Sequence, residues 1–228
     1  FKQMVLFGAA CITLERETIN DLNVFPVPDG DTGTNMSLTI QTAAAELKKN
    51  QPATVSDAAS ITASALLRGA RGNSGVILSL LFRGISKHLK GMDEADGVLL
   101  AAAMKEGVAT AYSAVMKPAE GTVLTVSRLA ADRAVQAAEE CNSVEYVLQE
   151  AIHKGLETLE ETIEMNPVLK KAGVVDAGGK GYLVILDGML RALRGEPIPE
   201  VTEEKAESKA DFSAMSQEEI TFTFDTVF

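Results

Sequence analysis

Apolar residues recur at three- and four-residue spacing along most of this chain, the period of helices with one buried face. Met4, Val5, Phe7, Cys11, Ile12 and Leu14 predict a helix over residues 1–19. The spacing resumes over 34–49 through Met36, Leu38, Ile40, Ala44 and Leu47. Ala58, Ile61, Ala65 and Leu66 predict a third helix over about 57–70, with Ser56 and Asp57 available to cap it. Further helices are predicted over 74–89, over 93–116 (opened by Asp93 and stopped by Pro118), from the Glu120–Thr125 turn to about 140, over 143–164 behind Ser143, and from 176 to about Arg194, with Gly195 as the stop. Asn166-Pro167 caps a short segment reaching Lys171. The count is about eight helices with no strand among them and no repeat of fixed period.

The joints are not alike. Four of them, 29–35, 72–75, 121–125 and 176–181, are Gly-rich or polar, and each stands at a helix N-terminus. In an up-and-down arrangement the N-termini of alternate helices meet at one end, where their dipoles and free N–H groups converge on anions. Beyond 195 the pattern changes. Residues 196–218, with Pro197, Pro199 and a mixed run of Glu, Lys and Ser, predict a linker, and 219–228 (EITFTFDTVF) alternates apolar with polar as a strand does. One strand does not stand alone, so it is expected to begin a further domain. The expected organisation is one helical domain over 1–195, the linker, and that strand.

Composition supports this reading. Of 228 residues, 46% are hydrophobic but only 5% aromatic, with no Trp, which suits Ala-rich helices packed closely. A net charge of −11 argues against nucleic acid as a partner. No run of 18 apolar residues is present, so no membrane span is expected. Cys11 and Cys141 have no metal-ligand spacing and read as free thiols of a reducing cytoplasm.

The segment 20–36, NDLNVFPVPDGDTGTNM, carries the chemistry. Pro26 and Pro28 stop the first helix, and Gly30 and Gly33 permit a tight turn. Asp29 and Asp31 then lie two apart on a non-helical backbone, where two carboxylates repel unless a cation lies between them. Asn20, Asp21 and Asn23 precede them. Thr32, Thr34 and Asn35 follow at a helix start. Hard oxygen ligands beside hydroxyl and amide donors suit Mg2+ held against phosphates. Three rival motifs fail on spacing. A calcium loop from Asp29 needs Gly at 34 and Glu at 40, where Thr34 and Ile40 stand. A nucleophile elbow around Ser74 needs Gly at 76, where Val76 stands. A P-loop around Lys180 needs Gly at 174 and Ser or Thr at 181, where Val174 and Gly181 stand. His88 and His153 have no partner at metal spacing.

Asp29-Gly-Asp31-Thr-Gly-Thr-Asn-Met36, Gly72-Asn-Ser-Gly75, Gly121-Thr-Val-Leu-Thr125 and Asp176-Ala-Gly-Gly179 together resemble the ATP-binding domain of the dihydroxyacetone kinase L-subunit superfamily, over about residues 1–195. LNVFPVPDGDTGTNM and ARGNSGVILSLLFRG resemble more closely the N-terminal kinase domain of bacterial fatty acid kinases. The resemblance implies an all-α, eight-helix antiparallel up-and-down barrel holding ATP or ADP and two Mg2+ at one end. It implies phosphoryl transfer to an acceptor on a separate protein; for a fatty acid kinase this is a fatty acid carboxylate on a fatty-acid-binding protein, leaving as acyl phosphate. Asp29 and Asp31 are the implied catalytic pair, and Asn23, Asp29 and Asp31 the implied metal ligands. In the dihydroxyacetone branch the Asn23 position is a third aspartate, one residue closer to the pair, and the Thr32 position is His. Thr32, Thr34, Asn35, Asn73, Ser74, Gly75, Thr122, Asp176 and Gly178 are the implied nucleotide contacts. Two alternatives stay open: a glycerone kinase-type subunit, and a sensing module that binds Mg-ADP or Mg-ATP without transfer. A homodimer of the full-length protein is a further option.

Overall fold

The computed structural model describes residues 1–200. Among them the chain forms ten helices: α1 (Lys2–Leu14), α2 (Arg16–Asp21), α3 (Thr32–Lys49), α4 (Val55–Gly69), α5 (Gly72–His88), α6 (Gly97–Ala114), α7 (Val123–Glu140), α8 (Val144–Met165), α9 (Pro167–Ala172) and α10 (Ala177–Leu193). Eight are long, and α2 and α9 are single short pieces of six residues. No strand occurs among the described residues. Of the linker expected over 196–218, residues 196–200 are described and hold no helix or strand, while the rest of it and the strand expected at 219–228 lie outside the described residues.

The long helices close into a ring. α1 packs on α3, then α4, α5, α6, α7 and α8 follow in chain order, and α8 packs on α10, which returns to α1. Short connections make neighbours antiparallel, so this is the expected up-and-down barrel. Small residues let the helix backbones meet. A Cβ on Gly188 of α10 would lie 2.8 Å from Gly8 Cα of α1, and one on Gly84 of α5 would lie 2.3 Å from the Glu106 carbonyl oxygen of α6. On α7, Ala130, Ala131, Ala134 and Ala137 are fully buried. Phe7, Ile12, Met36, Ile40, Leu66 and Phe82 fill the interior between these contacts.

Several expected boundaries move, three of them for reasons visible in the contacts. The helix predicted over 1–19 breaks at Glu15 (φ −89°, ψ 5°), whose N–H still bonds the Cys11 carbonyl. The chain turns there because α2 lies against α3, with Ile19 fully buried and Arg16 backbone against Gly33. The cap of α4 is Thr54, whose hydroxyl accepts the Asp57 N–H at 3.0 Å. Ser56 instead accepts the N–H of Gly91 at 2.9 Å. α6 opens at Asp96, which accepts the Leu99 N–H at 2.9 Å, because the Asp93 carbonyl is engaged by the Val55 N–H.

Candidate functional site

α3, α5, α7 and α10 all run in the same direction round the ring, so the four distinctive joints gather at one end. Local contacts tie them in sequence. Gly72, at the start of α5, lies against the Asn35 amide of α3. Gly181 of α10 lies against the Met36 thioether of α3, and Gly178 against Val123 of α7. At the opposite end, α4, α6 and α8 are capped by their own Thr54, Asp96 and Ser143. By contrast, Asp31 and Arg71 at the starts of α3 and α5 make no side-chain cap bond. The first turns of α3 and α5 therefore keep N–H groups without a side-chain cap from their own N-cap residue at the joint end, where they can meet an anion.

The loop before α3 is built around Asn23, which is buried although its neighbours Pro26 to Gly30 are exposed. Its Nδ2 donates to the Val27 carbonyl at 2.7 Å and to Asp29 Oδ1 at 2.9 Å, and its Oδ1 accepts the Thr32 hydroxyl. Gly30 makes the turn at φ +65°, a conformation that suits glycine. Asn20 clasps the start of α3, accepting the Thr34 N–H and donating to the Thr34 hydroxyl, both at 3.0 Å. Asp29 is exposed and Asp31 half-buried, and among the described residues neither carboxylate forms an ion pair. Among the described residues no group of three His, Cys, Asp or Glu side chains converges to hold a metal, so a cation at this turn would find only the Asp29 and Asp31 carboxylates as side-chain anions. Mg2+ is commonly held by one or two carboxylates and completes its shell with water and phosphate oxygens.

The α5 turn packs on the first turns of α3. Its backbone is pinned by Thr39 of α3, whose hydroxyl accepts the Arg71 N–H at 3.1 Å and sits where a Cβ on Gly75 would have to go. Asn73 is exposed and Ser74 half-buried, so both present polar groups outward, beside the exposed Arg68 and Arg71.

The other wall joins α7 to α10. Thr122 caps α7, its hydroxyl donating to the Ala119 carbonyl at 2.8 Å. Asp176 caps α10 and is only 5% exposed. Its carboxylate accepts the Gly179 N–H at 2.6 Å and also the Val123 N–H, so one side chain closes the first turns of two helices. Burial pushes its pKa up to about 6, against the two N–H bonds that favour the charged form. Asp176 thus stands beside the joints but is directed into the protein. Thr32 is likewise turned inward, onto Asn23.

Sequence reasoning assigned nothing to Glu120, Arg128 or Tyr112, which frame the α7 joint. Glu120 accepts from the Thr125 hydroxyl and from Arg128, each at 2.8 Å, and Arg128 Nε donates to the Tyr112 hydroxyl at 3.1 Å. Although burial raises the Glu120 pKa, the bonds from Thr125 and Arg128 prevail and hold it below its usual range. The signal was an acid just before a helix and an arginine two turns inside it. His88 ends α5 at the far end of the barrel, and His153 is exposed on α8. Among the described residues no helix is long and apolar enough to cross a membrane.

Comparison with known proteins gives a consistent family. The model of the DAK2 domain matches residues 26–191. Protein YloV of Bacillus subtilis (strain 168) is 44% identical over 200 residues, covering 88% of this chain and 36% of that protein. An uncharacterized protein of Staphylococcus aureus (strain bovine RF122 / ET3-1) is 45% identical over 198 residues, covering 87% and 36%. The chain thus spans just over a third of the length of these relatives. Among solved structures, the dihydroxyacetone kinase of C. freundii in complex with AMP-PNP and Mg2+ shares the fold, with a TM-score of 0.64 at 19% identity, over 84% of this chain and 33% of that one.

Proposed function

This chain belongs to the DAK2 domain family, and from that premise we propose that it is the ATP-binding domain of a kinase whose acceptor is a fatty acid carboxylate carried by a separate binding protein. The observation that carries the nucleotide part is the gathering of the α3, α5, α7 and α10 N-termini around the Asp29–Asp31 turn. A dihydroxyacetone kinase of the same fold was solved in complex with AMP-PNP and Mg2+, which supports ATP and Mg2+ as the ligands.

In this reading Asp29 and Asp31 hold Mg2+, one ion or two. When bound, Mg2+ neutralises charge on the β- and γ-phosphates and lowers the cost of charge movement during transfer. The rest falls to the protein. Thr34 and Asn35 meet phosphate oxygens at the α3 start, and Asn73, Ser74 and Gly75 line the phosphate and ribose side from α5. Thr122 and Gly178 border the nucleotide from α7 and α10, and Asp176 holds those two joints together from behind. A carboxylate acceptor is already an anion and needs no general base. That agrees with the positions of both histidines away from the joints.

The deciding experiment is single-turnover transfer of label from γ-labelled ATP to fatty acid, with the fatty-acid-binding partner present. Labelled acyl phosphate from the wild type, and none from Asp29→Ala or Asp31→Ala proteins that keep their helical circular dichroism, supports the reading. Tight Mg-nucleotide binding without transfer would favour a sensing module. Wild-type turnover in either variant would refute the metal assignment. Transfer to dihydroxyacetone in place of fatty acid would favour the glycerone kinase alternative.

A further inference from the structure

The Asn23 side chain is fully engaged within its own loop. Its two amide hydrogens go to the Val27 carbonyl and Asp29 Oδ1, and its oxygen takes the Thr32 hydroxyl. The side chain is buried between them, and neither end is turned toward open space at the loop surface. The two acceptors identify the amide orientation. A carbonyl and a carboxylate both accept, so the atom facing them must donate.

We propose that Asn23 is a positioning residue that aims the Asp29 carboxylate, and is not itself a metal ligand. With Oδ1 of Asp29 held by the Asn23 amide, the carboxylate plane is fixed and Oδ2 is presented to a cation. The Val27 bond fixes the stretch before the turn, and the Thr32 bond fixes the first residue of α3. One buried amide thus ties both flanks of the Asp29–Asp31 turn to a single point. Partners of this kind orient a ligand and tune its affinity, and their loss typically weakens metal binding about 10- to 100-fold without abolishing it. An aspartate at 23 fits poorly in the same place. It has no hydrogen for Val27 or Asp29, and its charge would face another carboxylate in a buried position. The inference rests on the reading of Asp29 and Asp31 as a metal pair.

The test is thermal unfolding of wild type, Asn23→Ala, Asn23→Asp and Thr32→Val, in EDTA and then across a MgCl2 titration with AMP-PNP saturating. A positioning residue organises the loop before any metal arrives. Asn23→Ala is therefore expected to melt several degrees below wild type in EDTA, yet still to show a Mg2+-dependent rise, with its midpoint shifted to about 10- to 100-fold higher Mg2+. Asn23→Asp is expected to melt low in EDTA and to need more Mg2+ than wild type. Thr32→Val is the milder variant, keeping volume while removing one of the three bonds, and is expected to shift the Mg2+ midpoint in the same direction by less. An unchanged melting temperature of Asn23→Ala in EDTA, or loss of its Mg2+ response, overturns the proposal. So does tighter Mg2+ binding by Asn23→Asp, the signature of a ligand position. A wild type with no Mg2+ response would instead refute the metal pair itself.

Discussion

Asp176 offers a quantitative test of how the nucleotide end is held together. Its carboxylate is buried, yet its ordinary pKa of 3.8 would leave it charged at neutral pH. Burial raises the folded-state value to about 6, while in the unfolded chain it returns to the ordinary one. The folded protein therefore binds more protons than the unfolded chain between these values, and stability falls as pH rises through them. The stabilising contribution of protonated Asp176 is fully present below pH 4 and lost once pH passes about 6. A gap of about 2 pKa units corresponds to about 3 kcal/mol. Asp176→Asn keeps an oxygen acceptor for the α7 and α10 N–H groups but cannot ionise. Urea unfolding of both proteins at several values between pH 4 and pH 8 isolates the group, because other titrations cancel in the difference. The wild type is expected to lose up to about 3 kcal/mol relative to Asp176→Asn between pH 4 and pH 6.5, with no further change above. A flat difference, or a wild type that gains on the variant as pH rises, would refute the reasoning.

Other perturbations separate the structural contacts from one another. Asp176→Ala, which strands the Gly179 and Val123 N–H groups, should cost roughly 2–6 kcal/mol at pH 7, at about 1–3 for each orphaned donor, measured by the same unfolding. Gly33→Ala would place a Cβ 2.2 Å from the Arg16 carbonyl oxygen; it should push α2 off α3 and raise amide exchange at Thr34, whereas unchanged protection would show that α2 adjusts freely. Gly188→Ala meets the backbone of Gly8 and should destabilise by roughly 1–3 kcal/mol, read as a lower Tm. Glu140→Gln is the counterexample: its partner Arg133 also pairs with Glu150 and the carboxylate is exposed, so the urea midpoint is expected to stay unchanged.

Much of the fold was readable because its signals are local. The eight long helices follow from apolar spacing, and the four N-terminal joints announce themselves through Gly and polar residues. What escaped depends on contacts between distant residues. Nothing in the run from Leu14 to Ile19 marks a break at Glu15; the helix divides there because Asn20 clasps Thr34 and Ile19 must enter the core. Thr54, Ser56 and Asp57 are all competent caps, and the bond from Gly91 to Ser56 takes one of them away. Spacing could bring Asn23 near Asp29 and Asp31, but not tell whether its oxygen or its nitrogen would face them. Asp176 was placed near the right joint, and its Asp-x-x-Gly spacing to Gly179 is that of a cap, but its second partner, Val123, lies 53 positions earlier and is invisible to local pattern.

The seam between Gly8 and Gly188 also sets an order of events during synthesis. Within the barrel, α1 has α10 as one of its two lasting neighbours, and that helix is made 180 residues later. At about 5–20 residues per second, the ribosome needs roughly 10–40 s to deliver that neighbour. During that interval Met4, Val5, Phe7 and Ile12 emerge without the wall that will finally cover them. The barrel cannot be completed as a growing stack, one helix upon the next. It must stay an open arc until α10 arrives, so a nascent chain arrested before residue 188 should remain protease-sensitive at α1.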